Sequence, residues 1–348
     1  MGWTILVPQN DVMLPDARAY IESRGHKIVL GGCIKTEDVI EKVKEVKPDA
    51  ILVGDTKCTR VFFEAASPNL KCLARFGAGF DTVDLAAADE YGVKCVYAPV
   101  GNSFSVVELV TMHLLHASLN LTKVRARMME DFTEAKHNMQ FDTVTGKTLG
   151  IVGVGNIGSR VAKRGQALGM NVIAYDPYKK AADFPEGVRV IRDFDELLQK
   201  SDFVTLHVPN TPKTAGMMNR EAFAKMKHTA YLINTARGTA VVEKDLLEAV
   251  KTGVIAGAGL DVNANEPLSP DREVLHTEGI YVTPHLGGST VTARKRVSYM
   301  CAIGLCEAAA GEPLSWEIPR NDYSVTYDDV RPEEEIITVP DILNIGAH

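Results

Sequence analysis

The sequence has no excess of basic residues, no apolar run of bilayer length and no paired cysteine motif. Lys and Arg number 38 against 45 Asp and Glu, a formal net charge of −7. That balance offers no basic footprint for a phosphate backbone, so nucleic acid is not an expected partner. No stretch approaches the roughly 20 apolar residues that a membrane helix needs, so no membrane association is expected either. Met1 to Val7 enters a strand directly and lacks the zoned layout of a secretory leader. Six cysteines stand at 33, 58, 72, 95, 301 and 306, with no C-x-x-C pair among them. They read as reduced thiols of a cytoplasmic protein, and no metal site is expected.

Glycine and proline are also missing from Ser105 to Met129. That gap predicts one long helix, followed by a less regular arm over 131–146. His113 and His116 lie three apart on the helix and share a face. A metal pair there would need further ligands, so helix packing or a dimer seam is the reading. Elsewhere the chain is ordinary: 348 residues, 45% hydrophobic and 24% charged, enough for two domains with their own cores.

Short apolar runs alternate with helical patterns from the start. Ile5–Val7, Ile28–Leu30, Ala50–Val53, Cys72–Ala74 and Val93–Val96 are candidate strands, with helical stretches such as Glu37–Lys47 and Val83–Tyr91 between them. A second series begins at Thr148, with strands at Leu149–Val152, Val172–Tyr175, Phe203–Val208, Ala230–Asn234, Gly257–Asp261 and Ile280–Thr283. A further helical pattern runs from Gly288 to Ala310, and an acidic tail starts at Asn321. Its run over 328–335 reads as solvated. This rhythm predicts an α/β protein of two doubly wound parallel sheets, with the active site in the cleft between them.

The most telling stretch is Thr148-Leu149-Gly150-Ile151-Val152-Gly153-Val154-Gly155-Asn156-Ile157-Gly158. It reads as a buried strand, a glycine turn and a helix start, with glycines at 153, 155 and 158 in G-x-G-x-x-G spacing. The first permits the turn, the second lets a pyrophosphate approach, and the third lets helix pack on strand. The helix N-terminus presents N–H groups and a positive dipole end to phosphate. Asp176 ends the next strand about twenty residues on, where an acidic side chain takes the ribose hydroxyls of NAD and repels the extra phosphate of NADP. The plainer reading is that Asp176 only opens the turn at Pro177.

Three polar residues at strand ends suit reduction of a 2-oxo acid. Arg237 can hold a carboxylate with a fork that stays charged. His285 can donate a proton to a developing alkoxide. Glu266 beside it would favour the imidazolium and fix its tautomer. Taken singly, each could be a surface or structural residue.

The blocks Asn234-Thr235-Ala236-Arg237-Gly238, Asp261-Val262 with Asn265-Glu266-Pro267, and Thr283-Pro284-His285-Leu286-Gly287-Gly288 resemble those of the D-isomer-specific 2-hydroxyacid dehydrogenases. Gly77-Ala78-Gly79-Phe80-Asp81-Thr82-Val83-Asp84 and Gly101-Asn102-Ser103-Phe104-Ser105-Val106-Val107-Glu108 do so too. The blocks occur in family order over roughly 50 to 315, closest to the phosphoglycerate dehydrogenase and hydroxypyruvate or glyoxylate reductase branches. The resemblance implies that Arg237 anchors substrate, that His285 with Glu266 is the acid–base pair, and that the backbone of Ala78 and Gly79 cradles the substrate carboxylate. It implies NAD contacts at Gly153, Gly155, Asn156, Ile157, Gly158 and Asp176. Thr235, Ala236, Asp261, His285 and Gly288 would lie near the nicotinamide, with His207, Val208, Pro209 and Thr214 along the adenine pocket. It further implies a discontinuous substrate domain, 1–101 with 287–320, around an inserted NAD-binding domain, 102–286. An extension, 321–348, would follow, and a homodimer would form through 104–146.

The chain departs from some branches. Formate-oxidising members usually carry Gln where Glu266 stands. Phosphoglycerate dehydrogenases often have Arg-Ser where Gly54-Asp55 stands, and many carry a long C-terminal regulatory domain. A phosphorylated substrate such as 3-phosphoglycerate is the alternative, with Lys57, Arg60 and Arg75 as candidate phosphate partners. A protein of this fold that only senses NAD(H) is the alternative function.

Overall fold

The computed structural model describes residues 2–139 and 141–320. The acidic extension expected over 321–348 lies outside the described residues. The chain forms two compact units, one of Met1–Ser103 with the chain from Gly288 onward, the other of Phe104–Gly287.

The first unit alternates β1 (Thr4–Val7), α1 (Pro15–Ser23), β2 (Lys27–Leu30), α2 (Thr36–Val46), β3 (Ala50–Val53), α3 (Arg60–Ala66), β4 (Cys72–Arg75), α4 (Leu85–Glu90) and β5 (Lys94–Tyr97). Its five strands are parallel, in the order β2-β1-β3-β4-β5. Side chains alternate across the sheet with the strand period of two. Ile5, Val7, Ala50, Leu52 and Ala74 meet Ile21 of α1 and Val297, Met300 and Leu305 of the C-terminal helix. Leu6, Ile51, Val53 and Leu73 meet Val39, Phe62, Phe63 and Ala88 on the other face.

The second unit opens with α5 (Ser103–Leu119), α6 (Leu121–Glu130) and α7 (Phe132–Asn138). The single helix expected over 105–129 is two helices bent by 47°. Asn120 breaks it by taking a left-handed conformation, φ 44°, and its side chain caps α6 by accepting the Lys123 N–H. Asparagine tolerates that region better than most residues. The irregular arm likewise starts with a helix, α7, because Asp131 caps it by accepting the N–H groups of Thr133 and Glu134.

There follow β6 (Thr148–Val152), α8 (Asn156–Ala167), β7 (Asn171–Tyr175), β8 (Arg189–Val190), α9 (Phe194–Lys200), β9 (Phe203–Leu206), α10 (Arg220–Lys225), β10 (Tyr231–Asn234), α11 (Glu243–Lys251), β11 (Gly257–Leu260) and β12 (Ile280–Val282). The two-residue strand β8 was not foreseen, being too short to show a period. All seven strands are parallel, in the order β12-β11-β10-β9-β6-β7-β8. Strand order therefore reverses between β6 and β9, the switch point where open α/β sheets bind ligands beyond their carboxyl ends. Leu149 and Ile151 pack with Val110 and Leu114 of α5 and Val161 of α8. Val152, Val204 and Leu232 pack with Leu197, Phe223 and Leu246 on the opposite face. The last helix, α12 (Val291–Ala310), belongs to the first unit. Among the described residues no single helix is long and apolar enough to cross a membrane.

The first unit is stitched across 284 positions of sequence by Ser298 of α12. Its hydroxyl accepts the Leu14 N–H at 3.0 Å and donates to the Val12 carbonyl at 2.9 Å, and the side chain is fully buried. Ser298→Ala leaves both backbone groups unsatisfied, so it is expected to cost about 1–3 kcal/mol. Urea unfolding of the variant would read that loss; an unchanged midpoint would show that the two bonds do not contribute.

Candidate active site

The turn after β6 places its glycines by contact. A Cβ on Gly153, where φ is +89°, would stand 2.4 Å from the His207 carbonyl oxygen, and one on Gly158 would stand 2.0 Å from the Gly153 oxygen. Both positions are therefore closed to any side chain. Gly155 differs: no atom outside its immediate chain neighbours lies within 4 Å of where its Cβ would be. The packing of this chain gives no reason for glycine there, whereas a phosphate approaching the backbone does. Gly155 is also the N-cap of the twelve-residue helix α8 that Asn156 and Ile157 begin, and it supplies no side-chain cap there.

Asp176 follows β7 directly. Its Oδ2 accepts the Val154 N–H at 2.9 Å and its Oδ1 the Tyr178 N–H at 3.0 Å. The carboxylate is thus fixed against the glycine turn. His207 turns inward, with Nε2 3.0 Å from Thr205 Oγ1, and burial pushes it down to about 3, so the ring is neutral. Val208 and Pro209 continue the loop, which Thr214 closes by donating its hydroxyl to the Pro209 carbonyl at 2.6 Å. Thr235 Oγ1, past the end of β10, is buried and has no hydrogen-bond partner. An open cradle at Gly155 and an orphaned hydroxyl at Thr235, at the start of a helix and the end of a strand, together fit a dinucleotide.

Arg237, Glu266 and His285 come together in the same unit. Arg237 lies three residues beyond β10 and donates to the Ala236 carbonyl at 2.7 Å. Gly238 lets this loop lie directly on the next one, since a Cβ there would stand 1.9 Å from the carbonyl carbon of Asn263. Glu266 is held by the Asn263 N–H, 2.7 Å from its Oε1, and its Oε2 lies 2.8 Å from His285 Nδ1. A carboxylate only accepts, so Nδ1 carries the hydrogen and Nε2 is left as the second proton site. The bond to Glu266 raises the His285 pKa against the opposing pull of burial, and the Arg237 guanidinium also lowers it. Burial would raise Glu266, but the bonds from His285 and the Asn263 amide and the nearby charges bring it below the usual carboxylate value.

Other expected residues sit elsewhere. Ala78, Gly79 and Gly288 belong to the first unit. His113 is buried against β11, where a Gly259 Cβ would stand 2.6 Å from its Nδ1, and burial lowers it to about 4. His116 meets the edge of Tyr281, with ring centroids 3.9 Å apart. Among the described residues no three His, Cys, Asp or Glu side chains form a metal-sized group. Sequence reasoning did not reach Thr283, Gly238 or the Asn263 amide as parts of the site. Their roles depend on contacts between loops.

Comparison with known proteins places the chain in a family. Residues 111–287 match the model for the D-isomer specific 2-hydroxyacid dehydrogenase NAD binding domain. The chain is 39% identical to a D-3-phosphoglycerate dehydrogenase of Methanocaldococcus jannaschii over 87% of its own length, and spans 57% of that enzyme. It is 37% identical to a hydroxypyruvate reductase of Thermotoga maritima over 83% of its length, and spans 93% of that protein. Among solved structures it is similar to a glyoxylate reductase from Paecilomyes thermophila, with TM-score 0.82, 26% identity and coverage of 91% of this chain and 98% of that one. The chain belongs to the D-isomer specific 2-hydroxyacid dehydrogenase family, and Phe104–Gly287 holds its NAD-binding domain.

The glycines permit a paired test. Gly155→Ala is expected to leave thermal stability unchanged and to weaken NADH binding by at least about tenfold, since the added methyl meets only ligand. Gly158→Ala overpacks the turn and is expected to cost about 1–3 kcal/mol. Thermal melts beside NADH fluorescence titrations separate the two effects. Equal affinity in Gly155→Ala and wild type would remove phosphate from this turn.

Proposed function

We propose that this chain interconverts a small 2-oxo acid and the corresponding D-2-hydroxy acid, with NAD(H) as redox partner. The observation that carries the reading is the 2.8 Å contact between His285 Nδ1 and Glu266 Oε2, within electrostatic reach of Arg237. Bound NADH would supply the hydride to C2 of the oxo acid. Arg237 binds the carboxylate and keto oxygen, and its charge offsets the negative charge growing on that oxygen. His285 gives the oxygen a proton from Nε2 and takes it back in the oxidation. Glu266 keeps Nδ1 protonated and so holds Nε2 ready. Asp176 takes the adenosine ribose hydroxyls and disfavours NADP. Thr235, Ala236, Asp261 and Gly288 on the nicotinamide side, His207 to Pro209 and Thr214 at the adenine, and the Ala78 and Gly79 amides at the carboxylate follow the family pattern.

An unphosphorylated oxo acid is favoured over 3-phosphohydroxypyruvate, the oxo partner of 3-phosphoglycerate. Arg75 lies 3.4 Å from the fully exposed Asp55 carboxylate, and Arg60 is paired with Glu90. Both guanidinium groups already face acids. The proposal includes a homodimer through the 104–146 segment, where Leu121, Met129 and Phe132 expose most of their apolar surface.

The test is NADH consumption with glyoxylate, hydroxypyruvate, pyruvate, 3-phosphohydroxypyruvate and branched oxo acids. His285→Ala is expected to lose about 10²–10⁴-fold in turnover while still binding NADH. Reduction needs the imidazolium, and Glu266 raises its pKa. In Glu266→Gln the alkaline fall of reduction should therefore move to lower pH, and the acid-side rise of the oxidation should move the same way. An unmoved profile would break the pairing. NADH binding with no turnover of any acid would favour the sensing role instead.

Arg237→Lys keeps the charge and loses the fork. With a charge-assisted bond worth roughly 1.5–3 kcal/mol, kcat/KM on the best substrate should fall at least about tenfold. Near wild-type kinetics would move the anchor to another cation, with Arg75 or Lys57 the first to replace.

A further inference from the structure

Helix α12 packs on β4 and β5 of the first unit, and one of its faces is shaped for close approach. Val297, Cys301 and Gly304 follow at intervals of four and three residues and share that face. A Cβ on Gly304 would stand 3.1 Å from Val96 of β5, and one on Gly101, in the loop after β5, would stand 2.6 Å from Val297 Cγ2. Between these two positions on the helix, Cys301 is fully buried. Its Sγ donates to the Arg75 carbonyl at 3.4 Å and accepts the Gly77 N–H. Burial pushes the thiol up to about 12, so the sulfur keeps its hydrogen and remains a donor. Both partners are backbone groups of the turn that leaves β4. That turn is also held at its sides, where the Phe76 N–H donates to the Val53 carbonyl at 2.8 Å and the Ala98 N–H to the Gly77 carbonyl at 3.0 Å. Gly77 has φ +132°, a conformation that side-chain-bearing residues rarely adopt. Glycine permits that shape without enforcing it, so the contacts around it decide where the next residues lie.

The next residues are Ala78 and Gly79, whose N–H groups are proposed above to receive the substrate carboxylate. We infer that Cys301 is a positioning residue: its thiol ties the backbone of Arg75 and Gly77 to α12 and so fixes where the Ala78 and Gly79 N–H groups present themselves. The inference rests on that proposed cradle and adds what holds it. The cysteine is sealed from solvent, so it acts through those two backbone groups rather than on the substrate. A thiol suits the place because it both donates and accepts. A carboxylate held by backbone N–H groups depends on their direction as well as their distance, because a hydrogen bond weakens steeply as its angle closes. A small tilt of the turn therefore costs binding of the oxo acid, while the NAD-binding unit stays as it is.

Cys301→Ala removes both bonds, and Cys301→Ser returns a group that donates and accepts. Cys301→Ala is expected to raise KM for the best oxo acid by about 3–10-fold, the range that one or two hydrogen bonds span. Its kcat should stay within about twofold of wild type, the split that marks binding lost equally from ground state and transition state. NADH affinity by fluorescence titration should be unchanged, and Cys301→Ser should lie closer to wild type than Cys301→Ala. If Cys301→Ala is too unstable to assay, Cys301→Val, which fills the space and makes neither bond, takes its place. An unchanged KM overturns the inference. So does an equal rise in Cys301→Ala and Cys301→Ser, which would make the effect one of packing. A matching loss of NADH affinity overturns it too, since the disturbance would then reach beyond the turn. Ala78→Pro run alongside deletes one N–H of the cradle and separates the layers. If that variant keeps its KM, the cradle fails and the inference with it. If its KM rises while Cys301→Ala is unmoved, only the role of Cys301 fails.

Discussion

The constraint that shapes both units is a parallel sheet buried on its two faces. Inward and outward side chains of β3, Ala50 to Val53, are all inaccessible, and those of β9, Phe203 to Leu206, are nearly so. A strand with helices on both sides has few positions for polar side chains and none for charged ones in β3 or β9. Chemistry is therefore displaced to the loops beyond the strand ends, and parallel strands put those ends on one side. In the second unit this single fact brings together the glycine turn after β6, Asp176 after β7, Arg237 after β10, Glu266 after β11 and His285 after β12. None of these residues is near another in sequence except by this alignment.

The same fact explains what the sequence made legible. Continuous apolar runs such as Ala50–Val53 and Leu149–Val152 mark strands because burial on two faces removes the alternation. The residue types just past them mark the site. Arg237, Glu266, His285 and Asp176 could thus be picked out before any contact was known. Breaks inside helices were harder to see. The stretch over 105–129 has no Gly or Pro, yet the Asn120 side chain caps a new helix within it, so a stretch read as one helix is two. Strand β8 is held by pairing with β7 rather than by a pattern of its own. The contacts that orient the catalytic candidates were hidden for a different reason. The Asn263 amide on Glu266 and the Leu286 and Gly287 amides on Asp261 are backbone groups, which every residue carries and no residue type announces.

Electrostatics around His285 balance two opposed neighbours. Glu266 stabilises the imidazolium through a direct bond, while Arg237, the proposed carboxylate anchor, destabilises it. Contact with the acid outweighs the more distant cation, and the histidine pKa stays raised. The carboxylate works in both directions at once, since a chain lacking it would leave an arginine and a protonated ring in mutual repulsion. On the proposed reading, a 2-oxo acid bound to Arg237 would add negative charge beside the ring. In the proposed reaction that would further favour the protonated form until hydride transfer creates the alkoxide that takes the proton.

Asp261 is the costlier acid, because burying a carboxylate carries a penalty of several kcal/mol even after the protein relaxes. Holding His285 in the left-handed region adds roughly 1–2 kcal/mol. A bond to a charged group returns roughly 1.5–3 kcal/mol, and the carboxylate accepts three. The two sides are of similar size, so the arrangement adds little to net stability. What it does is make alternatives expensive: any movement of the 283–287 turn strands a buried charge as well as its donors. A loop of ordinary composition is thereby tied to one buried carboxylate at three points.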